Sequence, residues 1–255
     1  MSMEINKIYK GDAYELIKKI EDKSIDLIVT DPPYDIQGIH GAGIMKSRDK
    51  GNFSREIKEN GLDKGMDFAI LDEFIRVLKK INVYIWCNKS MILPLLKYFV
   101  EERNCNYEIL VWVKDSPIPF CGTHYLCDKE YCLYFWEQGA PVDIPLERAK
   151  TVFYTKKNIS DKKEYGHPTI KDLQIIKTLI ENSSGGGLDT VILDPFIGSG
   201  TTAVAAKELG RSFIGFEINE QYYKVAVDRV NGIKQNGQMS LLDTDFEQLD
   251  LFKGE

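Results

Sequence analysis

Short apolar runs alternate with amphipathic segments along most of this 255-residue chain, and that alternation constrains its fold more than any other feature. Apolar runs of about four to eight residues suit buried strands, whereas apolar positions spaced three and four apart suit helices. A chain that alternates the two is expected to fold as βα units around a mainly parallel sheet. The predicted strands are 5–9, 25–30, 82–87, 108–113, 130–136, 191–193 and 213–216, and the predicted helices are 13–20, 71–80, 91–102, 168–181, 202–209 and 220–230.

Charge and hydropathy exclude several functional classes. The 33 basic and 39 acidic residues give a net charge of −6, which excludes a uniformly basic nucleic-acid-binding surface. No apolar run approaches the roughly 18 residues that a membrane helix needs. The first residues lack the apolar core of a signal peptide. We therefore expect a cytoplasmic protein with no membrane partner.

The five cysteines are expected to be reduced thiols, because their number is odd and no CxxC pair is present. Cys121, His124, Cys127 and Cys132 lie close enough in sequence to suggest a zinc site. Structural zinc sites usually place two ligands in a step of about two to four residues, whereas Cys121 and Cys127 are six apart. Core thiols are therefore the favoured interpretation, and we expect no metal.

The segment DPFIGSGTT, residues 194–202, lies between a predicted strand and a predicted helix. Gly198 and Gly200 allow a sharp turn and a close approach to a ligand, and the start of the following helix favours negative charge. Glu217, at the end of the next predicted strand, is suited to accept hydrogen bonds from ribose hydroxyls. The same segment fits the G-x-G-x-x-A pattern of dinucleotide binders, and a purely structural turn also remains open.

The segment Asp31-Pro32-Pro33-Tyr34 directly follows the predicted strand 25–30. Two successive prolines fix φ and remove two N–H donors, so the carbonyl groups there are rigidly held. A carboxylate, an oriented carbonyl and an aromatic ring then lie together at the carboxyl end of a strand, where open α/β sheets bind ligands. A turn with a surface tyrosine is the weaker alternative, because a nucleotide-type loop occurs elsewhere in the chain.

With these two motifs in this order, the chain closely resembles the S-adenosylmethionine-dependent amino-methyltransferases of DNA, in their β-type permuted order. The resemblance covers most of residues 5–231 and is carried further by Gly11-Asp12, Trp112-Val113-Lys114 and His167-Pro168-Thr169. Lys171 keeps the lysine of the family's HPTQKP motif, whereas Ile170 and Asp172 replace its Gln and second Pro. The resemblance implies a Rossmann-like class I methyltransferase fold, with a mostly parallel seven-stranded sheet and helices on both faces.

The resemblance also implies direct methyl transfer to the exocyclic amine of a flipped base in DNA. Asp31 and the Pro32 carbonyl would accept hydrogen bonds from that amine, and Tyr34 would stack on the base. The DPPY form goes most often with N6 of adenine, and N4 of cytosine is the alternative. A non-catalytic cofactor-binding protein and an NAD-dependent dehydrogenase are further alternatives, but the dehydrogenase leaves the Asp-Pro-Pro-Tyr turn unexplained.

The expected site residues follow from these motifs. The cofactor S-adenosylmethionine is assigned to Asp12, His167, Thr169, Asp194, Phe196, Gly198, Gly200, Thr201, Thr202 and Glu217. The catalytic segment is Asp31, Pro32, Pro33 and Tyr34, and the target base and DNA are assigned to Trp112, Lys114, Arg148, Lys156 and Lys157.

We expect a catalytic domain over residues 1–232, with irregular target-recognition segments at 35–66 and 137–166, and an acidic tail over 233–255. Gln248-Leu249-Asp250-Leu251-Phe252 in that tail resembles the short motif by which bacterial proteins dock on the DNA sliding clamp. The alternative is that Leu251 and Phe252 pack back on the domain. The family also implies a homodimer.

Overall fold

The computed structural model describes residues 3–34, 65–114, 125, 128–155, 170–187 and 189–233. Within these residues, eight strands form one sheet in the order β1-β8-β7-β2-β3-β5-β4-β6. The strands are β1 (Lys7–Lys10), β2 (Leu27–Thr30), β3 (Asn82–Cys87), β4 (Asn106–Lys114), β5 (Lys129–Trp136), β6 (Val152–Thr155), β7 (Val191–Asp194) and β8 (Ser212–Glu217).

Helices cover both faces of the sheet, as the sequence predicts. They are α1 (Ala13–Leu16), α2 (Ile70–Val77), α3 (Lys89–Leu96), α4 (Leu173–Ser183), α5 (Thr201–Glu208) and α6 (Glu220–Val230). Buried residues of α1, α2 and α3 share one apolar core with the sheet. Buried residues of α4, α5 and α6 form a second core on the opposite face. No helix in the described part of the chain is long and apolar enough to cross a membrane.

The sheet is mainly parallel, as expected, but its strand count differs from the prediction. Among the described strands, β5 is antiparallel to its neighbours β3 and β4, and every other pair is parallel. The predicted number of seven is wrong by one, because β6 lies inside the segment 137–166 that the sequence analysis treats as irregular. This short strand forms by pairing with the end of β4, from Val111↔Val152 to Lys114↔Thr155, and tertiary pairing of that kind leaves no local signal.

Helix α4 begins later than predicted. Pro168 was expected to start it, yet Ile170, Lys171 and Asp172 are not helical and the helix begins at Leu173. The Asp172 side chain caps it by accepting hydrogen bonds from the backbone N–H groups of Gln174 and Ile175. Lys171 therefore lies outside the helix, where its side chain contacts Asp31.

The strand order brings together motifs that are far apart in sequence. Strands β1, β8, β7 and β2 are adjacent and parallel, so their carboxyl ends meet at one edge of the sheet, here called the carboxyl edge. Asp12, Glu217, Asp194 and Asp31 lie at or directly after these four strand ends. Open α/β sheets bind ligands at this position.

Candidate active site

The loop after β7 is shaped by a close approach to helix α6. Gly200 has φ +84°, a left-handed conformation that favours glycine. A Cβ atom at Gly200 would lie 3.0 Å from both Cα and Cβ of Ala226. The Ile197 N–H donates to the Phe216 carbonyl at 3.0 Å and so fixes the loop against β8. Gly198 also has a positive φ, of +51°, so both glycines serve the predicted turn, whereas the close approach seen at Gly200 is to helix α6.

Asp194 braces this loop from within. Its side chain is only 4% exposed, and Oδ1 accepts hydrogen bonds from the Thr30 hydroxyl at 2.9 Å and the Phe196 N–H at 3.1 Å. Burial raises the pKa of Asp194 to about 7, although hydrogen bonds from Thr202, Thr30 and Phe196 oppose that rise. Through the Thr30 contact, Asp194 ties the end of β7 to the end of β2.

Glu217 occupies the neighbouring strand end. Its Oε1 accepts a hydrogen bond from the Asn219 N–H at 2.7 Å. Burial raises the pKa of Glu217 to about 7, against the opposing effect of backbone hydrogen bonds from Asn219, Gly198 and Ile218. The Gly11 N–H donates to the Glu217 carbonyl at 2.9 Å, which sets the exposed Asp12 beside this strand end.

Two side chains complete the loop region. Phe196 is partly exposed and meets the Tyr14 ring edge-to-face, with 6.1 Å between ring centroids. Arg229 is 8% exposed, and its Nη1 donates to the Ser199 carbonyl at 2.7 Å and to the Thr201 hydroxyl at 3.1 Å. Sequence reasoning missed Arg229, because an arginine in the last turn of an amphipathic helix is an ordinary surface feature.

The Asp31–Tyr34 segment lies directly after β2, one strand away from the Asp194 loop. Pro32 is buried, and Asp31, Pro33 and Tyr34 are partly exposed. The Tyr34 hydroxyl donates a short hydrogen bond to Asp31 Oδ1. Loss of water around the Tyr34 hydroxyl, together with the nearby charge of Asp31, raises the pKa of Tyr34 well above its usual value. Tyr34 therefore stays a protonated donor.

A buried cation lies on the other side of Asp31. Lys171 Nζ is 2.6 Å from Asp31 Oδ2 and 2.9 Å from Glu130 Oε2. It also lies 5.0 Å from the centre of the Trp86 ring. The sequence analysis identified Lys171 as the lysine of a family motif but gave it no role, and it did not identify Glu130. No local pattern links three residues that come from three separate elements.

The comparisons with known proteins agree with this geometry. Residues 25–228 match the profile of a DNA methylase family, the N6/N4 methyltransferases. The chain belongs to this family. The Type II methyltransferase M.HinfI of Haemophilus influenzae is 30% identical over 260 residues, which cover 91% of this chain and 70% of that protein. The methylase is thus a DNA-modifying enzyme, as its sequence motifs predict.

Solved structures identify the same fold. The M1.HpyAVI–SAM complex is 27% identical, has a TM-score of 0.64, and covers 88% of this chain and 98% of that chain. The PvuII DNA methyltransferase, named as cytosine-N4-specific, has a TM-score of 0.67 at 17% identity, over 89% of this chain and 87% of that chain. The latter likeness concerns the fold alone. The predicted class I methyltransferase fold is confirmed.

Two expected DNA-side residues of the methylase have other contacts in the structure. Trp112 is 6% exposed, donates from Nε1 to the Thr155 hydroxyl at 2.8 Å, and packs edge-to-face on Trp86. It is paired with Glu130 across β4 and β5, and its ring is buried. Arg148 precedes β6 and hydrogen-bonds to Asn182 at the end of α4. That position is at the amino edge of the sheet, opposite Asp31, so a place beside the target base does not fit it.

Several expected residues lie outside the described residues. These are Lys156, Lys157, His167, Thr169, Gln248, Leu249, Leu251 and Phe252, with most of segment 35–66. For Lys114 the structure gives the backbone alone, paired with Thr155 at the end of β4. Cys121, His124 and Cys127 also lie outside, whereas Cys132 is fully buried in the second core.

Proposed function

We propose that this methylase transfers a methyl group from S-adenosylmethionine to N6 of adenine in DNA, with Asp31 as the acceptor for the target amine. One observation carries the proposal. Asp31 follows β2 and the Asp194 loop follows β7, and these strands are paired through Leu27↔Ile192 and Ile28↔Leu193. An amine bound at Asp31 and a cofactor bound at the loop would therefore meet across adjacent strand ends.

The residues of the carboxyl edge fit S-adenosylmethionine, the cofactor. Glu217 and the exposed Asp12 are acceptor-only carboxylates at adjacent strand ends, which suits ribose hydroxyls and amine donors. Phe196 offers a partly exposed ring beside them. Because burial raises the pKa of Glu217 to about 7, donor hydroxyls and a cationic ligand would both favour its ionised form. When bound, the cofactor supplies an electrophilic methyl carbon on a positively charged sulfur.

The chain's own residues would make the target amine reactive. The lone pair of an exocyclic amine is delocalised into the base, so the nitrogen is a weak nucleophile. Asp31 and the Pro32 carbonyl accept hydrogen bonds from the two amino hydrogens and favour a tetrahedral nitrogen. The same acceptors stabilise the positive charge that develops on nitrogen, where preorganised dipoles act most strongly. A bound cofactor would supply the methyl group and keep the electron pair of the broken C–S bond on sulfur, and the methylated nitrogen would lose one proton to solvent.

Tyr34 would have two tasks in sequence. Before the base arrives, its hydroxyl occupies Asp31 Oδ1. A base rotated out of the duplex loses a few kcal/mol of stacking, which a Tyr34 ring stacked on the base would offset. The target amine then takes the place of the hydroxyl on Asp31.

The test is methyl transfer from isotopically labelled S-adenosylmethionine to unmethylated DNA, followed by digestion to nucleosides and mass spectrometry. We expect label in N6-methyldeoxyadenosine, and loss of that label with Asp31→Ala. Asp189→Ala, at an exposed carboxylate before β7, is the matched control and should keep full activity. Label on cytosine would overturn the adenine assignment, and methylation that survives in Asp31→Ala would overturn the role of Asp31.

The remaining assignments stay predictions. Docking of residues 248–252 on the sliding clamp predicts that deleting this segment abolishes clamp binding while DNA methylation in the absence of the clamp is kept. A homodimer, a cytoplasmic location and target recognition by segments 35–66 and 137–166 are likewise part of the proposal.

A further inference from the structure

Both oxygens of Asp31 are already engaged, by groups of different kinds. Oδ1 accepts from the neutral Tyr34 hydroxyl, and Oδ2 lies 2.6 Å from the Lys171 ammonium. Both contacts are charge-assisted, but the Lys171 contact joins two full charges, and breaking it would take Asp31 away from a buried ammonium. The incoming amine can therefore displace Tyr34 from Oδ1, but it cannot readily displace Lys171 from Oδ2.

Lys171 is held on its backbone side by its two neighbours. Ile170 is 3% exposed and anchored in the core, and Asp172 caps helix α4. These flanking contacts explain why the helix begins at Leu173 and why the three preceding residues are not helical. Lys171 consequently projects toward the carboxyl edge, with its side chain 11% exposed.

Lys171 is also held at its charged end. Glu130, at the start of β5, has its Oε2 2.9 Å from Nζ, and the ring centre of Trp86 on β3 lies 5.0 Å from Nζ. Burial by itself lowers the pKa of Lys171, but the charges of Asp31 and Glu130 outweigh burial and raise that pKa above its usual value. Lys171 is thus a permanent cation over the working pH range.

Lys171 differs in charge from the other titratable groups around Asp31. These groups, from the elements packed beside it, are Tyr34, Cys87 at the end of β3, Glu130 and Cys132 on β5, Asp194 at the end of β7, and Lys171. Of these, Lys171 is the one described cation. Removing Lys171 would therefore leave Asp31 among neutral and acidic groups.

We propose that Lys171, oriented by Glu130, is a positioning residue that holds Oδ2 of Asp31 and keeps a positive charge beside it, so that Oδ1 is left as the acceptor for the target amine. This inference rests on the proposed role of Asp31. It gives a function to Lys171, the lysine of the partly altered motif, whose Nζ contacts Asp31 of the Asp31–Tyr34 segment.

The test is the pH dependence of single-turnover methylation at saturating S-adenosylmethionine. In wild type the charged Lys171 lies 2.6 Å from Asp31 Oδ2 throughout the profile. Removing a cation within about 4 Å of a carboxylate makes it easier to protonate by about 1–3 pH units. Lys171→Met should therefore move the acid limb to higher pH by that amount, and below the limb the rate falls about tenfold for each unit.

Three companion measurements make the result specific. Lys171→Arg retains the charge and should keep the acid limb near that of wild type. Glu130→Gln removes a negative charge, so its acid limb should not move to higher pH, although its maximal rate should fall. The cofactor Kd, measured by calorimetry, should be the same in all variants, because Lys171 does not contact the cofactor loop.

The outcomes are separable from those of the proposed function. If wild type methylates adenine and Asp31→Ala does not, but Lys171→Met keeps the wild-type pH profile, this inference alone is overturned. Equal loss in Lys171→Met and Lys171→Arg would also overturn it, since charge would not be the cause. If Lys171→Met fails to fold, the double variant Lys171→Met/Glu130→Gln, which keeps the local net charge, replaces it and should show an upward shift relative to Glu130→Gln alone.

Discussion

Replacement of Gly200 by alanine tests the close packing that shapes the cofactor loop. Gly200 has φ +84°, and an L-residue in the left-handed region costs about 1–2 kcal/mol. Its Cβ would lie 3.0 Å from Cα of Ala226, a backbone atom of α6 that cannot rotate away. Overpacking of this kind costs about 1–3 kcal/mol. We therefore expect Gly200→Ala to lower the free energy of unfolding by about 2–5 kcal/mol.

Gly186 provides a matched control for the backbone term. It has φ +71°, and a Cβ atom there would meet nothing within 4 Å. Gly186→Ala should therefore cost about 1–2 kcal/mol, from its backbone conformation alone. The difference between the two variants isolates the steric contact between the loop and α6.

Urea unfolding measures both variants, and the change in midpoint gives the change in stability where the slope is unchanged. Cofactor affinity is measured beside it. A loop that shifts to relieve the contact should bind S-adenosylmethionine more weakly in Gly200→Ala, by about tenfold for each 1.4 kcal/mol lost, whereas Gly186→Ala should bind normally. If Gly200→Ala is no less stable than Gly186→Ala and binds the cofactor equally well, the reasoning about this loop is refuted.

Two further substitutions test the carboxyl edge. Burial raises the pKa of Asp194 to about 7. Between about pH 4 and pH 7 the folded protein therefore keeps a proton on Asp194 that the unfolded chain releases. The free energy of unfolding falls as pH rises through this range, because deprotonation favours the unfolded chain. Urea unfolding should therefore show that Asp194→Asn stabilises the cofactor-free protein relative to wild type at pH 8 but not at pH 4. An equal effect at both pH values would contradict the raised pKa of Asp194. Tyr34→Phe keeps the stacking ring and should retain most single-turnover activity. Tyr34→Ala loses base stacking worth about 1–3 kcal/mol and should be much slower. Equal losses of activity in both variants would show that the hydroxyl, and not the ring, is required.

Local sequence predicted most of the elements that build the site. Strand β3 and helix α6 have the predicted bounds, Asn82–Cys87 and Glu220–Val230. Both motifs fall in the loops after strands, because alternating apolar runs and glycine or proline turns are properties of neighbouring residues. The predicted start of α4 was wrong because it, too, was based on neighbouring residues alone. Pro168 is a good local helix start, but the Asp172 cap and the contacts of Lys171 determined the true start at Leu173.

The sequence by itself determined the α/β class and the family of the enzyme, and it placed the Asp31–Tyr34 segment directly after a strand. Tertiary structure alone decided that β2 lies beside β7 and that Lys171 joins Asp31 to Glu130. It also decided that Arg229 donates a hydrogen bond to the Ser199 carbonyl of the loop. It also decided that Arg148 lies at the opposite edge of the sheet. Periodicity and turn chemistry act over a few residues, whereas an ion pair between residues 31 and 171 exists only after the chain has packed.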